Sequence, residues 1–306
     1  MTIKDHIKIT FRLALPVVLS QLGQVSVGVA DSMMVGRLGA VELAAASLAN
    51  SIFFVLLMFG MGISMGITPL VSIAEGKGKM KRISSLFQHG LWINIFTAIL
   101  LILIILLLSQ GLHFLDQPEE VVQITIPYLL IITASMLPFM IFQTFKQFAE
   151  GLSHTKQAMY VTIFCNLVNV FLNWVLIYGK LGAPELGLNG AGIATLISRV
   201  LMPMMMGWYV IRSKRYRQFD LQLGIKKLRF FMINRILKIG LPTGFQYIFE
   251  VSAFNSLAKL TITNDELICF LDFSFNLCMY DVSLYDLQFK ACSHELDLIE
   301  LRLGYD

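Results

Sequence analysis

A carboxylate, Asp31, stands near the end of a long apolar stretch, in VGVADSMMVGRLGA, residues 27 to 40. An ionised Asp at the centre of a membrane-spanning helix costs about 2.5–3.5 kcal/mol on insertion scales, and less nearer the interface. Such a group asks for a partner or a task. Asn166, Asn169 and Asn173 are spaced i, i+3, i+7, so they share one helical face, and Thr195 lies in the next apolar segment. Carbonyl and hydroxyl oxygens beside a carboxylate can ligate a cation, or can hydrogen-bond a protonated Asp31. The same residues can also act as glue, with asparagines joining helices and Asp31 resting at the interface. Spacing alone leaves both readings open. Arg199, in mid-segment, needs a partner or a water-filled cavity.

The segments that carry these residues are of membrane type. Of 306 residues, 56% are hydrophobic and 14% charged, with a mean hydropathy of +0.71. Soluble domains carry about 25% charged residues. The expectation is therefore an all-α polytopic membrane protein. Lys4, Lys8, Arg12 and the small residues ending at Ala30 resemble a signal peptide, but a secreted product would not carry several further membrane-length segments. Cys165, Cys269, Cys278 and Cys292 show no zinc or haem spacing, so neither a metal site nor a disulfide framework is read from them.

About 20 apolar residues cross a bilayer as a helix. Seven spans are predicted: 11–35, 47–72, 86–109, 121–145, 158–178, 187–211 and 236–258. Basic residues gather on the cytoplasmic side of membrane helices. Here Lys4, Lys8 and Arg12 precede the first span, Lys77, Lys79, Lys81 and Arg82 follow the second, Lys146 and Lys156 follow the fourth, and a run from Arg212 to Lys238 follows the sixth. The opposite side has Arg37 and Lys180. This alternation predicts a cytoplasmic N-terminus. Measured from the basic residue that ends each span, Asp31, Asn173 and Thr195 then lie roughly 25–29 Å into the membrane, with Asn169 nearer the centre.

Gly62 and Gly66, in GMGISMG, have the spacing of close helix packing. Met33, Met34, Met58, Met61, Met65, Met202, Met204, Met205 and Met206 are adaptable apolar contacts that suit filler, lipid-facing or promiscuous-pocket roles. Pro16 and Pro242 can kink their helices. RLALP (12–16) is echoed by KIGLP (238–242) six spans later, the pattern of a parallel repeat. From about Asn255 the chemistry changes. Residues 255–306 hold nine of the 20 acidic residues, and their longest apolar patch, LICFLDFSFNLCMY, is interrupted by Asp272 and too short to span.

Four stretches together resemble the multidrug and toxic compound extrusion (MATE) transporters, particularly the bacterial NorM branch. LALPVVLSQLGQVSVGVADSMMVGRLGAVELAAASLA resembles the family's first helix and loop, and SIAEGKGK its glycine-rich turn after the second. LVNVFLNWVLIYGKLGAPELGLNGAGIATLIS resembles its fifth and sixth helices, and ILKIGLPTGFQYIFEVSAF the start of the seventh. The resemblance covers roughly residues 5–254 in order. It implies two six-helix lobes related by a pseudo-twofold along the membrane normal, in a multi-pass protein of the bacterial plasma (inner) membrane. It also implies export of cationic or amphipathic drugs in exchange for H⁺ or Na⁺, with no cofactor, no enzymatic reaction and no nucleic-acid partner. Carried over by motif, Asp31 falls on the N-lobe carboxylate that takes the coupling ion, Asn169, Asn173 and Thr195 on its polar partners, Glu250 on a carboxylate of the seventh helix implicated in cation binding, and Pro16 and Pro242 on helix bends.

The resemblance stops after EVSAF, five helices short of the family's twelve. The expected organisation is a six-helix lobe over 1–211, a cytoplasmic loop over 212–235, a seventh helix over 236–258 that opens the second lobe, and a divergent acidic tail over 259–306. A frameshifted or truncated reading frame accounts for that tail. A central cavity then needs a second lobe, which pairing of two copies would supply. Two alternatives stand beside the antiporter. One is a non-transporting or accessory membrane fragment. The other, a flippase for lipid-linked oligosaccharides, would call for several bases facing its cavity, where the sequence offers Arg199. No Walker loop, nucleophile elbow or HExxH points to a soluble enzyme.

Overall fold

The computed structural model describes residues 3–112, 118–217, 219 and 229–261. The described residues are helical, with no strand among them. In chain order the helices are α1 (Ile3–Gly36), α2 (Ala40–Met65), α3 (Ile67–Gly76), α4 (Met80–Gln110), α5 (Glu119–Ala134), α6 (Met136–Gly151), α7 (Thr155–Ile177), α8 (Gly187–Arg212), the single turn α9 (Lys214–Arg217) and α10 (Phe230–Thr261). A 3₁₀ turn at Lys180–Gly182 lies between α7 and α8.

Two of the predicted spans are each broken into a pair of helices, and prolines explain where. Pro69 lacks an N–H for the carbonyl of Met65, and Met65 is the last residue of α2. Pro138 does the same to Ala134, the last residue of α5. At each break the backbone tightens: Gly66 N–H donates to Ile63 O at 3.2 Å, and Ser135 N–H to Ile132 O at 3.1 Å. Pro16 and Pro242, the expected bends, lie inside α1 and α10, which run unbroken through them.

Among the described residues, five units are long and apolar enough to cross a membrane: Ala40–Gly76, Met80–Gln110, Glu119–Gly151, Thr155–Ile177 and Gly187–Arg212. Seven were predicted. The other two, α1 and α10, have the length, at 34 and 32 residues, but are diluted by polar side chains. Some of these face protein rather than lipid: Ser20, Gln21 and Thr243 are buried.

The helices also overrun the apolar stretches, because backbone hydrogen bonding does not stop where hydropathy falls. The second span starts at Ala40 and not at 47, the third at Met80 and not at 86, and the seventh at Phe230 and not at 236. The inter-lobe boundary at 235 thus falls inside a helix. The fourth span ends at Gly151 and not at 145, so Lys146 is no loop residue. It is buried in α6 at 2% exposure, where it interacts electrostatically with Glu150 one turn on. Apart from residues 259–261, which continue α10, the predicted acidic tail lies outside the described residues, as do Cys269, Cys278 and Cys292. Cys165 is a free, buried thiol.

Helix α7 packs between α1 and α8, and α10 packs along α2. The α2–α10 seam is backbone on backbone. A Cβ on Gly66 would lie 2.7 Å from Ile236 O, one on Gly240 would lie 2.5 Å from Ile63 O, and one on Gly62 would run into Gly244 Cα. The close packing read from Gly62 and Gly66 is present, and its partner is the seventh span. Among the methionines, Met58, Met61, Met65, Met202 and Met206 fill the core, while Met33 and Met204 are exposed.

Polar contacts tie α2, α3, α4 and α6 together at depth. Ser64 Oγ donates to Asn94 Oδ1 at 3.0 Å, Asn94 Nδ2 donates to Thr144 Oγ1 at 2.7 Å, and Thr68 Oγ1 donates to Gln147 Oε1 at 2.6 Å. His89, fully buried in α4, receives the Arg229 backbone N–H on Nε2 at 2.8 Å, with Nδ1 2.6 Å from Ser85 O. Nε2 is thus the acceptor and Nδ1 carries the proton. The ring anchors the start of α10.

Candidate functional site

Helix α7 is built with its polar face inward. Asn166, Asn169 and Asn173 are buried, while Phe164, Leu167, Phe171 and Trp174 are exposed on the other side. In water such a face would be inverted; in lipid it is the stable arrangement, because the hydrocarbon takes the apolar face and the protein interior satisfies the amides. The inward face points at α1 and α8. There, Asn173 Nδ2 donates to Asp31 Oδ1, across 142 residues of sequence. The same nitrogen donates to Asn169 Oδ1 at 3.2 Å, and Asn169 Nδ2 approaches Thr195 Oγ1 at 3.4 Å. The result is a chain across three helices in which Asn173 is the shared donor, to Asp31 on one side and to Asn169 on the other, while Asn169 donates on toward Thr195. Both ends, the Asp31 carboxylate and the Thr195 hydroxyl oxygen, accept.

The scaffold around this chain is tight. Close approach of α7 and α8 depends on Gly190, where a Cβ would lie 2.6 Å from Leu176 O. Tyr178 at the end of α7 donates its hydroxyl to Met34 O at 2.9 Å, one turn past Asp31, and so fixes the register of α1 against α7. Asn173 is fully buried, yet its Oδ1 has no hydrogen-bond partner. That oxygen sits on the amide that already contacts Asp31. If Asp31 takes a proton, its O–H needs an acceptor, and a turned Asn173 amide would present one.

Four of the residues singled out in the sequence are therefore brought together: Asp31, Asn169, Asn173 and Thr195. Asn166 shares their face, but its Nδ2 is buried without a partner. Glu250 is placed elsewhere, half-buried on α10, the helix that packs on α2. Pro16 is buried in α1, about four turns before Asp31.

Two groups beside the chain had not been assigned to it. Arg199 lies one turn beyond Thr195 on α8. Its Nη1 donates to Ser135 Oγ at 2.8 Å, and its guanidinium carbon lies 4.9 Å from the Phe53 ring centre and 5.1 Å from that of Phe139. Its charge interacts with Asp31 and with the Tyr128 phenol. Tyr128, on α5, is nearly buried and approaches Asn50 Oδ1 at 3.4 Å. A mid-span base is itself a signal, and Arg199 was marked by it. A tyrosine in an apolar helix carries no such mark. Among the described residues no group of three or more His, Cys, Asp or Glu could hold a metal ion.

Comparison with known proteins agrees on the lineage. The MatE family pattern matches residues 16–175. The multidrug resistance protein MdtK of Yersinia pestis (strain Pestoides F) is 32% identical over 249 residues, which is 81% of this chain and 54% of that protein. The multidrug resistance protein NorM of Photobacterium profundum is 33% identical over 248 residues, with the same coverage of 81% and 54%. The chain thus spans about half the length of the curated relatives it matches. In fold it resembles an outward-facing multidrug resistance MATE family transporter of the MOP superfamily, with TM-score 0.76 at 20% identity, covering 89% of this chain and 62% of that one. It also resembles the eukaryotic MATE transporter AtDTX14, with TM-score 0.75 at 19% identity, covering 83% and 56%. By sequence match over more than half its length, and by a helical membrane fold of the same kind, the chain belongs to the MatE family of transporters.

Proposed function

We propose that residues 3–217 form the ion-coupling lobe of a multidrug efflux antiporter of the plasma (inner) membrane. It exports cationic or amphipathic compounds in exchange for H⁺ or Na⁺, with the N-terminus in the cytoplasm. The observation that carries this reading is the buried hydrogen-bond chain that joins Asp31, Asn173, Asn169 and Thr195 across three helices. A carboxylate held by an amide donor inside a membrane protein is poised to exchange its ionised form for a neutralised one. Protonating Asp31 adds an O–H donor to a group that until then only accepts, and the chain can rearrange to give that O–H an acceptor. Helix α1, freed from that hydrogen bond, can bend at Pro16 and reshape the space beside α7 and α8. Glu250 on α10 is the second cation-binding carboxylate in this scheme, and Pro242 the bend that serves it. The chain covers about half of its full-length relatives, and a second lobe, from a second copy or from a longer product, completes the drug cavity.

The test is proton-driven efflux of a cationic dye from proteoliposomes. Asp31→Asn keeps the hydrogen-bonding shape but removes the titratable group, and it should abolish efflux. Efflux unchanged in Asp31→Asn refutes the assignment.

A further inference from the structure

Thr162 on α7 is fully buried, yet its hydroxyl has no hydrogen-bond partner. Thr125, Thr133, Thr144 and Thr243 each donate to the carbonyl four residues back in their own helix. Thr162 forgoes that bond, so its hydroxyl needs a partner elsewhere. Two further orphans lie close by. Asn166 Nδ2 on α7 and Gln21 Oε1 on α1 are also buried and unpartnered.

The helix contacts fix where these atoms stand. Helices α1 and α7 run side by side in the same direction, for Asp31 meets Asn173 and Met34 meets Tyr178, 142 and 144 positions on. Gly23 keeps that register, since a Cβ on it would lie 3.2 Å from Asn166 Nδ2. The same offset sets Gln21 level with residues 163–165, between Thr162 and Asn166. The three orphans therefore share about 6 Å of the α1–α7 interface, roughly 10–17 Å along the helices from Asp31. They also belong to a longer track. Thr155, Thr162, Asn166, Asn169 and Asn173 follow at spacings of seven, four, three and four residues, on one face of α7, and all are buried. That track runs from the first residue of α7 to Asp31.

An acceptor, a donor and a hydroxyl that does both form a complementary set. Buried water typically serves two to four such groups, and Gly23, lacking a side chain, leaves room beside Asn166. We propose that Gln21, Thr162 and Asn166 hold internal water between α1 and α7, and that this water relays the proton of Asp31 to the cytoplasm. The inference rests on the reading of Asp31 as the coupling carboxylate, with H⁺ as its ion and the N-terminus in the cytoplasm. Release breaks the O–H bond of Asp31 and forms one on the nearest water. Each water then passes on another of its protons, and the last goes to bulk water at the start of α7. Asp31 returns to its carboxylate form and nothing is oxidised. Asn173 starts the route, because its Oδ1 is also unpartnered and belongs to the amide that contacts Asp31. From there to Asn166 is about 10 Å, or about four hydrogen-bonded steps. The amides orient the water, while the Thr162 hydroxyl can accept and donate in turn.

Two measurements on the full chain test this. In nanodiscs, millisecond X-ray footprinting in ¹⁸O-labelled water marks side chains that lie beside bound water. Ile163, which lies against Gly23, should be marked in wild type and should lose most of its label in Gln21→Leu/Thr162→Val. Equal labelling overturns the proposal. Thr162→Val alone, a change of nearly equal shape, guards against a double variant that fails to fold. Its Tm should be no higher than wild type. A rise, of about 4 °C for relief of a dry buried hydroxyl, overturns the proposal as well. In proteoliposomes loaded with a pH dye, proton flux under a pH step is followed with the cationic efflux dye present. The part lost in Asp31→Asn is the flux through Asp31. Gln21→Leu/Thr162→Val should cut that part about tenfold, the effect of about one lost hydrogen bond on the barrier. Flux kept near the wild-type level overturns the relay. A wild type with no flux through Asp31 defeats instead the reading of Asp31 as the coupling carboxylate, so the two failures are distinct.

Discussion

Replacing Gly62 by alanine tests the seam between the lobe and the helix that follows it. The added methyl would meet Gly244 Cα, and would lie 2.6 Å from Gly244 N and 2.9 Å from the Thr243 carbonyl carbon. Carbon contacts settle at about 3.5–4.0 Å, and the obstacle is backbone, which cannot rotate aside as a side chain can. The two helices must therefore part by about 1 Å. That movement also loosens Gly66 against Ile236 and Gly240 against Ile63, since all three contacts lie on one seam. Overpacking of this kind costs about 1–3 kcal/mol, and a rigid obstacle along the whole seam places it near the top of that range. Alanine returns about 1 kcal/mol through its better helix propensity. The net loss is about 2 kcal/mol, or about 4–8 °C in Tm at the 2–4 °C per kcal/mol typical of larger domains. Thermal unfolding in detergent measures it. Gly28→Ala is the control, because that glycine is exposed and a Cβ there meets nothing within 4 Å. It should hold or raise Tm. A Gly62→Ala protein as stable as Gly28→Ala refutes the seam.

Asn94→Leu removes the bridge from Ser64 to Thr144. Both hydroxyls keep acceptors in their own helices, at Gly60 O and Met140 O, so the loss is that of two interhelical bonds, about 1 kcal/mol at the average measured within membranes. A double-mutant cycle with Ser64→Ala checks it, and full additivity of the two losses counts against the bridge. His89→Ala deprives the Arg229 N–H of its acceptor. Hydrogen exchange at the start of α10 should quicken about fivefold, for a net loss of about 1 kcal/mol, while exchange at the centre of α4 stays unchanged.

Several features were legible in the sequence because their causes are local. The hydropathy of α4 marks a span whatever surrounds it, and it is the most apolar of the five. The spacing of Asn166, Asn169 and Asn173 declares one polar face, and that face is buried. The breaks at Gly66 and Ser135 are local too, since each lies three residues before a proline. They went unread because hydropathy runs straight through them. Helix ends were misjudged for a related reason: hydropathy records where lipid ends, whereas the hydrogen bonds of α6 and α10 continue past it. The interior place of Lys146 follows from that error.

What the sequence determined by itself was the class of the chain, the five segments apolar enough to cross a membrane, and the set of residues with reason to be chemical. These follow from solvation, because a carboxylate or an amide in an apolar segment is costly in any fold. The tertiary structure alone decided which of them meet. Asn173 reaches Asp31 across 142 residues, Glu250 goes to another helix, and α10 lies on α2 through four glycines. It also set Arg199 of α8 against Ser135, Phe53 and Phe139. Such meetings depend on how helices cross and how near their backbones come, and side-chain volumes on two distant segments settle both together. No single segment contains that information.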